Sequence, residues 1–91
     1  MALIPKTRQH LKAKAHKLKP AVMLGNKGLT AAVHREIDIA LDDHELIKVR
    51  IACEDRDEKK ALVAEICETA KAELVQLIGN IAVIYRKNIE K

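Results

Sequence analysis

The sequence predicts an α/β domain with the element order α-β-α-β-α-β-β, and three features carry that prediction. Segments with apolar residues at helical spacing alternate with short apolar or alternating runs, the signature of strand–helix–strand units. Gly79-Asn80 stands between two further strand-like runs and predicts a hairpin, because both residues tolerate positive φ. The length, 91 residues, supports one domain over residues 1–91 with a modest core. Strand, helix, strand, helix, strand implies crossover connections and parallel pairing, closed by one antiparallel hairpin.

Pro5 suits a first helical position, and Leu11, Ala15 and Leu18 then fall on one face, with Ile4 extending it backwards and Pro20 ending it. Lys6, Lys12, Lys14 and Lys17, with His10 and His16, occupy the rest of the circumference, and no acid is available for i,i+4 pairing. Ala21 to Leu24 is short and uniformly apolar, as a buried strand is. A helix follows from about Thr30 to Asp43, turning Val33, Ile37, Ala40 and Leu41 inward. Leu46 to Ile51 alternates Leu46, Lys48 and Arg50 with Ile47, Val49 and Ile51, a strand with one apolar and one largely polar face. The third helix, from about Asp55 to Ala70, buries Leu62, Val63, Ile66 and Ala70, and Glu73–Ile78 and Ile81–Lys87 form the hairpin.

The apolar share of 48% and charged share of 33% are those of a globular chain. No apolar run approaches the roughly 20 residues needed to span a bilayer, and Met1 to Lys6 is too short for a signal peptide. A cytoplasmic protein with no membrane partner is therefore expected. Cys53 and Cys67 match no ligand pair and read as free thiols of a reducing compartment. The net charge of +4 conceals a strong polarity. Residues 1–35 carry eight Lys or Arg and no acid, whereas residues 36–91 carry the other nine bases and all thirteen acids, so the two parts are +8 and −4. Such a distribution concentrates positive potential and favours a polyanionic partner.

Two of the three glycines lie in Gly25-Asn26-Lys27-Gly28, between the first strand and the second helix. Glycine admits positive φ and close approach of another backbone, and a helix start after Thr30 would put the loop at the positive end of a helix dipole. The charges of that helix run against its dipole: His34 and Arg35 come early and Asp42 and Asp43 late. The third helix begins with acids, as stability alone favours, so the reversal is local to the glycine loop.

Other chemistries find no support. His44-Glu45 is followed by Lys48 where a zinc protease needs a second His, and the four histidines have no ligand spacing. The glycine loop lacks the Gly-Lys-Ser/Thr of a phosphate-binding P-loop, and the chain contains no Ser. No catalytic residue, metal ligand or cofactor is assigned, and no enzyme activity is expected. With no Phe or Trp and Tyr85 as the one aromatic residue, the chain cannot stack a row of bases on rings, which leaves gripping of a phosphate backbone.

The run "AHKLKPAVMLGNKGLT", then "HELIKVRI" at His44–Ile51 and "IGNIAVIYR" at Ile78–Arg86, closely resembles the CRM domain family, in its single-domain bacterial YhbY-like form. The resemblance covers nearly the whole chain. It implies a two-layer fold similar to the C-terminal domain of bacterial translation initiation factor three, with a four-stranded mixed sheet ordered 1-2-4-3. It also implies RNA binding through the G-x-x-G loop and adjacent basic surface, with ribosomal RNA in precursors of the large subunit as partner and ribosomal proteins nearby. The loop role falls on Gly25, Asn26, Lys27 and Gly28; many relatives read Gly-Lys-Asn-Gly, so Asn26 and Lys27 are exchanged here. Lys12, Lys14, Lys19 and Arg35 are assigned to longer-range backbone contacts. The rival expectation is a protein-interaction module whose basic first helix docks on an acidic protein.

Overall fold

The computed structural model describes residues 5–25 and 28–87. Its elements are α1 (Pro5–Ala15), β1 (Val22–Leu24), α2 (Ala31–His44), β2 (Leu46–Ile51), α3 (Arg56–Ala70), β3 (Glu73–Ile78) and β4 (Ile81–Tyr85). Two helix starts follow from local chemistry. Thr30 Oγ1 accepts the Val33 N–H at 3.2 Å and Asp55 Oδ1 accepts the Glu58 N–H at 3.0 Å, each satisfying a donor that the helix itself leaves orphaned.

The strands form one mixed sheet in the order β1-β2-β4-β3. β1 and β2 are parallel, as expected, whereas β3 does not pair with β2. β4 inserts between them, antiparallel to both, with Leu46 opposite Tyr85 and Arg50 opposite Ile81. The physical reason is burial. Ala82, Val83 and Ile84 are consecutive and all buried, so β4 is apolar on both faces and belongs at the centre, while β3 carries Glu73 and Gln76 and tolerates an edge. Strand–helix alternation alone missed this insertion; the 1-2-4-3 order implied by the family resemblance matches it.

Two cores result. Ile37 and Leu41 of α2 and Val63, Ile66 and Ala70 of α3 pack with Ile47, Val49 and Ile51 on one face of the sheet, forming a helix layer there. On the opposite face Leu11 and Ala15 of α1 pack with Leu46, Val75 and Val83, and half-buried Tyr85 flanks this smaller cluster. The polar face expected of β2 is thus divided along its length: Leu46 is covered by α1, Lys48 is half-buried and Arg50 is exposed.

α1 stops earlier than expected. Pro20 has no N–H to continue the helix and disfavours helical geometry at Lys19, so the chain tightens after Ala15 and Leu18 is left 38% exposed, off the buried stripe. The segment is tied to β2 instead: Lys48 Nζ donates to the Leu18 carbonyl at 2.9 Å and the Ala21 N–H to the Lys48 carbonyl at 2.9 Å. Ile4 lies outside the described residues. At the other end of α1, Arg8 donates to the carbonyls of Leu74 and Val75 at 2.7 and 3.1 Å, capping β3 at its bulge. β4 ends at Tyr85, short of the expected Lys87.

Candidate nucleic-acid interface

The loop expected to hold an anion lies where three segments meet. β1 delivers the chain to Gly25, the Ala52 N–H donates to the Leu24 carbonyl at 3.2 Å, and the Ile51 N–H donates to Asn80 of the hairpin at 2.7 Å. The glycine loop, the end of β2 and the hairpin tip therefore occupy one end of the sheet. Gly28 N–H donates to the Gly25 carbonyl at 3.1 Å, which holds the two glycines together. Asn26 and Lys27 lie outside the described residues.

Positive φ is needed at Gly28 (71°) and not at Gly25. A Cβ added at either meets nothing within 4 Å, so space does not distinguish the two positions and backbone strain does. Gly28→Ala should cost about 1 kcal/mol of stability and Gly25→Ala close to none, as urea denaturation of the two variants would test. Equal costs would show that the left-handed conformation of Gly28 is not what the glycine supplies.

The Gly28 N–H is already engaged, so it is not among the donors open to an anion. Thr30 likewise takes the Val33 N–H. What remains at the start of α2 are the N–H groups of Ala31 and Ala32, which have no intrahelical acceptor and lie on small, exposed residues. The first turn of α2 contains no acid, whereas that of α3 contains Asp57 and Glu58.

The reversed charges of α2 have a second cause that only the structure reveals. Arg86, after β4, donates to Asp38 Oδ1 at 2.6 Å, to the Asp38 carbonyl at 3.0 Å, to Asp42 Oδ1 at 2.9 Å and to the Ala70 carbonyl at 3.0 Å. Asp42 therefore serves to clamp α2 to the chain end, and the bearing of the reversal on anion binding reduces to its acid-free first turn. His34 Nε2 lies 3.7 Å from Glu65 of α3, leaving Arg35 as the exposed cation of that region of α2.

The four outlying basic residues are all exposed but are not gathered at one place. Lys14 and Lys19 border a hollow with His44 and Leu46, toward the end of β2 away from the glycine loop. Lys12 borders a groove between α1 and the sheet, with His16, Lys48 and Ile81. Two further sources of positive charge escaped the sequence reading. Arg50 is exposed on β2, and Arg56, Lys59 and Lys60 line a hollow beside Gly79, with Lys59 Nζ donating to the Gly79 carbonyl at 2.8 Å. Acids interspersed at Asp55, Asp57 and Glu58 hid this group, although the spacing of residues 56, 59 and 60 marks one helix face.

Among the described residues no group of three His, Cys, Asp or Glu could hold a metal ion, and no helix is long and apolar enough to cross a membrane. Cys53 and Cys67 are free. Burial, aided by the Glu73 carboxylate, pushes the Cys67 thiol up to about 11, so it stays protonated near neutrality and is a poor nucleophile.

These features define a small α/β module built on a mixed sheet, with an acid-free helix start behind a glycine loop. The chain belongs to the CRS1 / YhbY (CRM) domain family, which matches residues 3–86. It is 44% identical over 88 residues to a protein of Pseudomonas aeruginosa named "Probable RNA-binding protein", covering 97% of this chain and 85% of that one. A Haemophilus influenzae protein named "RNA-binding protein" is 49% identical over 88 residues, covering 97% and 89%. The fold matches the solution structure of a hypothetical protein from Staphylococcus aureus with a TM-score of 0.83 and 36% identity, over 93% of this chain and 88% of that chain.

Proposed function

We propose that this protein is a non-catalytic RNA-binding protein that grips the phosphate backbone at the glycine loop and the start of α2. The acid-free helix start carries the reading: the Ala31 and Ala32 N–H groups and the dipole of α2 favour an anion beside Gly25–Gly28. Lys27 adds charge in the loop, and Lys12, Lys14, Lys19 and Arg35 supply outlying contacts to a long polyanion. The names of the P. aeruginosa and H. influenzae relatives support RNA as that polyanion. The RNA in view is ribosomal, held in precursors of the large subunit in the cytoplasm, with ribosomal proteins as neighbours.

Counterion release makes this mechanism measurable. A filter-binding titration should give a log–log slope of affinity against salt of about −0.7 for each phosphate contacted on a single strand. Lys27→Glu should weaken binding about tenfold, since it removes one attractive charge and adds a repulsive one, while the melting temperature stays unchanged. A flat salt response would sink the backbone-contact mechanism, and unchanged affinity of the variant would remove the loop from the site.

A further inference from the structure

Two of the large apolar side chains exposed on the molecule, Met23 at 64% and Ile78 at 59%, lie at the two edges of the sheet. Strand register puts them in one row. Met23 is opposite Arg50, Arg50 opposite Ile81, and Ile81 opposite Ile78, so the row crosses all four strands on a single face. At the usual strand spacing its length is about 14 Å. This is the face that α1 covers at its other end, where Leu46 is buried; here it is open, with Arg50 exposed in its middle.

We propose that this row receives the bases of an unpaired RNA stretch whose backbone is held at the glycine loop, a reading that rests on the function proposed above. Continuity of the chain supports it: Met23 is two residues before Gly25, so a strand anchored at the loop leaves it beside the row. Charge supports the choice of occupant. The row contains Arg50 and no acid, and the adjoining groove is bordered by Lys12 and Lys48, so the surface suits a polyanion with flat apolar groups. Met23, Ile81 and Ile78 offer apolar contact to base faces, and the Arg50 guanidinium offers a plane on which a base stacks, as ring-poor RNA surfaces can. Unpaired bases are required, since those in a duplex are stacked on one another and present no free face.

The test compares wild type with a Met23→Ser/Ile78→Ser variant by fluorescence anisotropy, using a twelve-nucleotide unstructured RNA, the same strand with abasic positions, and a duplex of equal length. Both substituted side chains are exposed, and thermal melting confirms that the fold is kept. The variant should bind the unstructured strand about fivefold more weakly, since aliphatic contact with a base reaches at most the low end of what ring stacking gives, with an unchanged salt slope and no loss on the abasic strand. Arg50→Lys should keep the salt slope and lose affinity for the base-bearing strand alone. If wild type binds RNA with a steep salt slope and the double variant binds equally well, the row is overturned and backbone binding stands. If wild type binds none of the three RNAs, both readings fall. A variant that keeps RNA affinity but loses a nuclease-resistant protein partner would overturn the RNA assignment in favour of a protein surface.

Discussion

Ile37→Ala should lower the free energy of unfolding by about 4 kcal/mol, in the upper part of the range for truncating a buried aliphatic side chain. Ile37 is 0% exposed and sits in the larger core, where α2 meets the sheet. Truncation removes the transfer energy of three carbons and leaves a cavity that collapses poorly, because Leu41, Ile47 and Ile66 of the same buried cluster belong to elements fixed by their own hydrogen bonding. A domain of this size has a stability on the order of 5–10 kcal/mol, so one substitution removes a large fraction of it. Urea denaturation should show a strongly reduced midpoint with an unchanged slope. Met23→Ala, at a side chain 64% exposed, is the control and should shift the midpoint little. A loss below about 1 kcal/mol for Ile37→Ala would mean that α2 is not anchored through this residue.

Arg86→Met should cost about 2 kcal/mol, and the source of that loss can be separated. The Arg86 side chain is 20% exposed, but the side chains of Asp38 and Asp42 are 59% and 64% exposed, so solvent screening leaves the ion pairs worth a few tenths of a kcal/mol each. The larger part comes from the bonds to the Asp38 and Ala70 carbonyls, which a half-buried charged donor satisfies and Met cannot. Asp42→Asn should therefore cost less than about 0.5 kcal/mol, and raised salt should leave most of the Arg86→Met penalty in place. Thermal melts of the two variants at low and high salt decide the matter. Equal penalties, or a penalty abolished by salt, would show that the clamp is an exposed ion pair. Folded Arg86→Met protein should retain its RNA affinity, because Arg86 binds the end of α2 remote from the glycine loop.

These two residues also mark how far the sequence could be read. Ile37 was recognisable as core because Val33, Ile37, Ala40 and Leu41 repeat at the helical period, and that regularity is local. The starts of α2 and α3 were equally legible, since Thr30 and Asp55 cap donors three residues away. The Gly79-Asn80 turn closed the β3–β4 hairpin as expected, although positive φ is used at Gly79 alone. Arg86 carried no such signal. Its partners lie 48, 44 and 16 residues away, and Asp42, read from sequence as part of a charge reversal, proved to be held by it.

The sequence by itself determined the seven elements, their order, the glycine loop ahead of a capped helix and the acid-free basic segment of residues 1–35, because each depends on residues within a few positions of one another. The alternation of elements did not put β4 in the centre of the sheet, although the order implied by the family resemblance did. Only the tertiary structure decided that α1 ends at Ala15 on the face opposite α2 and α3, and which cations share a surface. It alone aligned Met23, Arg50, Ile81 and Ile78. Strand register sets that alignment, and register is a property of pairing between distant segments, chosen by which faces can be buried together.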